Sequence, residues 1–300
     1  MDFIAVVGPT ASGKSAAAME IATHLSGEIV CCDSVQLYRG FKIGAASPSE
    51  AELRRVPHHL FGVLDPYDDC DAALYAHRAK DVIREIKARN KVPVVTGGTG
   101  LYLRALMNDR FDPDLPKDQK LRELLQTQTS EELYAELVKL DPRRAKDLHP
   151  NDRFRVIRAL EIVRITGKPV PVSEGKSIDT PRNCVIVRLD PPRAVLHDNI
   201  ALRTKAMLDG GLLEEVSGLL RQGVSSKPMQ SIGYFEAAKH LAGELTFNEM
   251  QAAIEASTRQ YAKRQCTWFK KIEADFCLSR GDAVGECLEN IKNLFLNMSK

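Results

Sequence analysis

Short, almost wholly apolar runs alternate along this chain with longer stretches in which apolar residues return every three or four positions. The apolar runs predict strands covered on both faces, and they fall at Phe3 to Val7, Glu28 to Cys32, Val92 to Thr96, Val185 to Leu189 and Phe276 to Leu278. Between them the period becomes helical. Ala17, Ile21 and Leu25 share a face of the first helix, and Val82, Ile83 and Ile86 are the buried positions of another over about Leu74 to Lys87. Strands alternating with helices predict an α/β fold with a mostly parallel sheet.

The middle has a different texture. From Phe111 to about Arg182 the pattern is helical and charged, reached through the proline-rich FDPDLPKD and left through KPVPVSEGKSIDTPRN. Thr129 and Glu132 have capping-box spacing before a helix carrying Leu133, Leu137 and Leu140. Asn151 or Asp152 caps the next helix, which closes near Gly167 with Pro169 beyond it. The reading is a helical insertion, 111–182, in a core made of 1–110 and 183–300. That these helices simply cover the sheet fits the composition equally well. After Glu273, the residues Phe276, Leu278, Leu288, Ile291 and Leu294 predict a final strand and helix.

Composition narrows the class without naming a chemistry. The 300 residues are 44% hydrophobic and 27% charged, with a net charge of +2, which is ordinary for a globular protein. So small a charge neither demands nor excludes nucleic acid. The start, MDFIAVVGPT, has no basic leader, and the apolar runs are strand-sized, so neither a secretory signal nor a membrane span is expected. Seven cysteines without a C-x-x-C pair suggest reduced thiols in a cytoplasmic protein and argue against zinc.

Chemistry first appears at Gly8 to Ser15, GPTASGKS, a full match to the P-loop pattern between a predicted strand and a predicted helix. Gly8 and Gly13 let successive N–H groups turn toward one anion, and the start of the following helix adds to the field. Lys14 supplies a charge for phosphate oxygens, and Ser15 a hydroxyl for a magnesium ion bound to them. The motif leaves open whether ATP or an organic diphosphate is held. Asp33 stands at the end of the second strand in EIVCCDSVQLYRG, on the edge where α/β sheets bind ligands; a strand-end cap is the plainer alternative. Gly97, Gly98 and Gly100 make a second glycine turn around Thr99, with Arg104 one helical turn on.

These segments resemble a known family. GPTASGKS, CCDSVQLYRG with IGAASP, PHHLFGVLDP and GGTGLYLRAL, then HPNDRFRVIRALEI, GLLEEV, QSIGYFEA and STRQYAKRQCTWFKK, stand in the order of the tRNA dimethylallyltransferases, the IPP transferase family. The resemblance runs from Ile4 to about Lys271. It implies a P-loop NTPase-like core that transfers a dimethylallyl group from dimethylallyl diphosphate to N6 of the adenosine 3′ of the anticodon in tRNA. Asp33 would be the general base, Thr99 a substrate contact and Arg104 a partner of the diphosphate. Gly8, Thr10, Ala11, Ser12, Gly13, Lys14, Ser15 and Arg203 would bind the diphosphate, with Mg2+ on Ser15. Contacts to the anticodon stem-loop would come from Asp33, Ser34, Val35, Gln36, Arg122, Arg155, Arg158, Gly233, Tyr234, Arg259, Lys263 and Arg264. A monomer is expected. The chain ends without the zinc finger of longer eukaryotic relatives, so a bacterial type is expected.

Two basic stretches suit an RNA acceptor. Residues 151–168 carry five basic against two acidic side chains, and 257–273 carry five against one, the latter interleaved with Tyr261, Trp268 and Phe269. Each taken alone is more simply a solvated helix face. Phe154 and Phe235 stand where the family more often has polar or basic residues, and Asn199 where Arg is expected. A transferase acting on free adenine nucleotide, a P-loop nucleotide kinase and a non-catalytic RNA-binding module are the competing readings.

Overall fold

In a computed structural model of the chain, residues 2–108, 115–170, 183–224 and 227–297 are described. Parts of the proline-rich segments flanking the middle region, 111–114 and 171–182, lie outside them. The chain divides into two compact units, Met1–Phe111 with Thr180–Lys300, and Asp112–Asp179.

Among the described residues the first unit holds six strands: Phe3–Val7 (β1), Glu28–Cys31 (β2), His58–His59 (β3), Pro93–Gly97 (β4), Cys184–Leu189 (β5) and Phe276–Leu278 (β6). Their order is β3-β2-β4-β1-β5-β6, and every pairing is parallel. The helices before the second unit are Lys14–His24 (α1), Glu50–Arg55 (α2), Ala72–Ala88 (α3) and Gly100–Met107 (α4). The second unit contains Gln119–Gln126 (α5), Ser130–Leu140 (α6), Pro142–Lys146 (α7) and Arg153–Thr166 (α8). Then come Arg193–Asp209 (α9), Leu212–Arg221 (α10), Tyr234–Leu241 (α11), Phe247–Phe269 (α12) and Leu288–Asn297 (α13).

Alternation along β1 explains why both faces of the sheet are covered. Phe3, Ala5 and Val7 pack in one layer with Ile83 and Ile86 of α3 and Leu103 of α4. Ile4 and Val6 pack in the other with Ala17 and Ile21 of α1 and Ile291 of α13. Strand β3 has no counterpart among the predicted elements: two histidines at a sheet edge carry no apolar period. The register sets the site. Thr96 of β4 pairs with Val6 of β1 and Cys31 of β2, so the three loops that follow these strands emerge side by side.

The second unit has a core of its own, with Leu125, Leu133, Leu137, Val156 and Leu160 at or near zero exposure. Its helices therefore bury their apolar faces against one another. Thr129 and Glu132 form the capping box their spacing predicts, and Asp152 caps α8. Glu161, buried among these helices, accepts from the Asp118 N–H (2.7 Å), Arg122 Nε (2.8 Å) and Arg158 Nη1. Burial pushes this carboxyl up, but the amide and the two guanidiniums outweigh it and hold it below the ordinary carboxylate range. Glu161→Gln is expected to lower unfolding free energy by about 2 kcal/mol at neutral pH. That is less than for a fully buried pair, because the guanidiniums keep 30% and 27% of their surface in solvent. The charge contributes above the unfolded carboxyl pKa of about 4.3 and is lost as pH falls through the lower folded value. Denaturant titrations of wild type and variant should therefore converge in acid.

Candidate active site

The loop after β1 wraps space that side chains would otherwise fill. A Cβ on Gly8 would lie 2.8 Å from the Leu189 carbonyl oxygen of β5. Ala11 and Gly13 take left-handed backbone angles (φ 61° and 85°), the geometry that turns consecutive amides inward. The Thr10 N–H donates to Gln265 Oε1 (2.8 Å), Arg203 Nη1 donates to Thr10 Oγ1 (3.1 Å), and Asn199 Nδ2 donates to the Ala11 carbonyl (3.1 Å). The Ser12 hydroxyl is buried without a protein partner among the described residues. An orphaned hydroxyl in an anion-shaped turn is a vacancy in hydrogen bonding that phosphate oxygens suit.

The loops after β1 and β2 open onto one cavity of about 380 Å3. Thr10, Lys14, Ser15 and Arg203 line it together with Asp33, Ser34, Val35 and Gln36. Residues 44–48 and, from α12, Tyr261, Arg264 and Gln265 complete much of the wall. Asp33 Oδ1 accepts from the Val35 (2.9 Å) and Gln36 (3.4 Å) amides. One carboxylate oxygen thus holds the turn and the other is left for chemistry.

The charges in this cavity act on one another. Burial and the neighbouring Arg203 guanidinium pull the Lys14 ammonium down to about 8, against the opposing pull of Asp33. Burial also lowers Arg203, with Asp33 again opposing. Burial, then the Asp33 carboxylate, pushes the Tyr261 phenol up to about 12. Two cations crowded beside an amide-rich loop are relieved by an anion. This is a site short of negative charge.

Gln265 ties the site together. Its amide oxygen takes the Thr10 N–H, and its Nε2 donates to the Gly98 carbonyl at 2.8 Å, joining the P-loop to the second glycine turn. The glycines allow this approach: a Cβ on Gly98 would sit 2.3 Å from Gln265 Nε2, and one on Gly97 2.0 Å from the Cys32 oxygen. Gln265→Leu keeps the volume, orphans the Thr10 N–H and leaves the Gly98 carbonyl only the Tyr261 hydroxyl at 3.5 Å. A stability loss of about 1–3 kcal/mol is expected by denaturant titration, with weaker diphosphate binding by calorimetry.

Residues 36–272 match the model of a family described as IPP transferase. The chain belongs to the IPP transferase family. It is 45% identical over 274 residues to tRNA dimethylallyltransferase 1 of Trichlorobacter lovleyi, covering 89% of this chain and 90% of that one. To the tRNA dimethylallyltransferase of Geobacter metallireducens it is 42% identical over 276 residues, 89% of each chain. Among solved structures, the tRNA isopentenylpyrophosphate transferase of Bacillus halodurans is similar with TM-score 0.74 at 34% identity, over 99% of this chain and 97% of that one. A eukaryotic dimethylallyltransferase acting on tRNA has TM-score 0.81 at 28% identity, over 97% of this chain and 77% of its own. The family resemblance and the α/β, P-loop NTPase-like core expected from the sequence agree with these matches.

Not every residue to which the family resemblance gave a role reaches the cavity. Thr99 accepts the Ser34 N–H (3.0 Å) and donates to Ser34 Oγ (3.3 Å), so it supports the Asp33 turn. Arg104 is exposed, because α4 buries Tyr102, Leu103, Ala105 and Leu106 and turns position 104 outward. Arg122 and Arg158, expected on RNA, are directed into Glu161. Tyr234 does line the cavity, but its side chain is buried, with its hydroxyl on Glu215 and Ala45, and Gly233 caps α11 through its N–H to Glu236. Arg155 is exposed beside its Asp152 cap, Arg259 pairs with Glu255, and Lys263 and Arg264 are exposed. Arg264 stands over the Tyr261 ring. Gln265 and Glu215 were given no role from the sequence, although they lie within the STRQYAKRQCTWFKK and GLLEEV motifs: the backbone partner of each lies far away along the chain.

Proposed function

We propose that this IPP transferase family member transfers a dimethylallyl group from dimethylallyl diphosphate to N6 of the adenosine 3′-adjacent to the anticodon in tRNA. The observation that carries this reading is the juxtaposition, in one cavity, of an anion-deficient P-loop and a turn-held carboxylate. Relatives at 45% and 42% identity bearing the name tRNA dimethylallyltransferase support the acceptor and donor.

In the step proposed, the bond from the allylic carbon to the diphosphate oxygen breaks, and its electron pair leaves with the diphosphate. A bond from N6 to that carbon forms, and the N6 proton passes to Asp33. The exocyclic amine is a poor nucleophile because its lone pair is delocalised into the ring. A carboxylate that orients it and accepts its proton lowers the barrier. Lys14, Arg203 and the loop amides stabilise charge where it grows, on the leaving diphosphate. Ser15 lines the cavity, and its hydroxyl with diphosphate oxygens is a ligand set suited to Mg2+. Such an ion would supply further charge neutralisation of the leaving group. Arg155, Lys263 and Arg264, expected on tRNA from the family resemblance, are exposed and accessible to its phosphates.

The test is to incubate purified protein with Mg2+ and dimethylallyl diphosphate, separately with unmodified tRNA and with AMP, and to analyse nucleosides by mass spectrometry. A five-carbon group on tRNA at the base beside the anticodon is the expected result. Modification of AMP alone refutes a tRNA acceptor. Reaction of neither refutes the transfer itself.

A further inference from the structure

Beside Asp33 the cavity wall is bare backbone, with Gly44, Ala45 and Ala46 lining it. The Gly44 and Ala45 amides bond to side chains 171 and 189 residues further along the chain. Glu215 of α10 collects three successive amides: Lys42 N–H at 3.2 Å, Ile43 N–H at 2.9 and 3.0 Å to its two oxygens, and Gly44 N–H at 3.2 Å. The next amide, Ala45 N–H, donates to the Tyr234 phenol at 3.1 Å, and that phenol donates to Glu215 Oε1 at 2.6 Å. Gln36 Nε2 closes the segment from the other side, donating to the Ala45 and Ala46 carbonyls at 2.9 Å each. The backbone N–H of the same Gln36 shares Asp33 Oδ1. Gly44 lies flat on the Tyr234 ring, where a Cβ would stand 2.5 Å from Cε2.

We infer that Glu215 and Tyr234 are positioning residues of the acceptor side of this site, an inference that rests on the transferase reading above. They act through the backbone of 42–46 and then through Gln36, which carries the wall's position to the turn that aims Asp33. Four amides drawn onto one carboxylate and its phenol make a stiff wall, since each alternative geometry strands the part-buried Ile43, Gly44 or Ala45 donors. Neither side chain directs a hydrogen bond to the P-loop. No hydrogen bond therefore joins them to the donor half of the site, where the Tyr234 phenol acts only through space on Arg203.

The experiment is steady-state kinetics of the full chain with dimethylallyl diphosphate and unmodified tRNA, comparing wild type with Glu215→Gln and Tyr234→Phe. Gln at 215 offers one oxygen where two are used and turns its own NH2 toward amide donors. Phe at 234 keeps the ring under Gly44 and removes only the hydroxyl. The expected result is a rise of about tenfold in KM for tRNA in each variant, with KM for the diphosphate unchanged. The double variant should shift KM by less than the product of the two, because both act on one wall. A fall in kcat alone, with both KM values unmoved, would mark a smaller folded fraction and overturns the inference. Equal rises in both KM values overturn it as well. Should Glu215→Gln fail to fold, Tyr234→Phe decides by the same criterion. Absence of turnover in the wild type would instead refute the transferase reading beneath it.

Discussion

Asp33→Ala is expected to lower kcat by about 10²–10⁴-fold, the range for loss of a general base, while tRNA is still bound. The proposed reading gives the carboxylate two tasks, one for each oxygen. Oδ1 holds the Val35 and Gln36 amides, and the other oxygen is free to take a proton. Asp33→Asn distinguishes them, since an amide oxygen still caps the turn but cannot accept the N6 proton. If the asparagine variant is as slow as the alanine variant in single-turnover assays, proton acceptance is the larger role. Recovery of most activity by asparagine would assign Asp33 to the turn and leave the base unaccounted for. Retention of tRNA affinity by gel shift separates either result from a collapsed acceptor site.

Lys14→Ala is expected to reduce kcat/KM for the diphosphate donor by about 10²–10³-fold, the range for loss of one preorganised donor to developing charge. Lys14 and Arg203 line the same cavity, and each is pushed toward its uncharged form by burial. Their repulsion is a cost of the empty site that a diphosphate converts into attraction. Inorganic diphosphate at about 100 times its Kd should accordingly stabilise the wild type by about 2.7 kcal/mol. The same addition should leave the Tm of the alanine variant nearly unchanged. An equal Tm shift in both proteins would show that the loop amides and Arg203 suffice and that Lys14 is dispensable for binding.

What could be read from the order of residues was whatever depends on neighbours in the chain. The strands at Phe3–Val7 and Phe276–Leu278 have the limits their apolar runs predict; the first is apolar throughout because it is buried at each position, whereas the second lies half-exposed at the sheet edge. The Thr129–Glu132 box and the Gly167 stop are local geometry, and GPTASGKS is a complete anion turn within eight residues. Strand β3 escaped notice because two histidines have no period to detect. Tertiary structure decided the rest. The order β2-β4-β1 brings the Asp33 turn, the second glycine turn and the P-loop side by side, and no local pattern encodes strand order. It also decided which charges are spoken for. The family resemblance expects Arg122 and Arg158 on RNA, yet a buried carboxylate at 161 needs cations and hydrogen bonds to remain charged, and they supply them. Gln265 and Glu215 acquire their roles only when the helices that carry them meet backbone amides from the other end of the chain. A buried amide must find an acceptor wherever the fold brings one, and sequence distance places no limit on where that is.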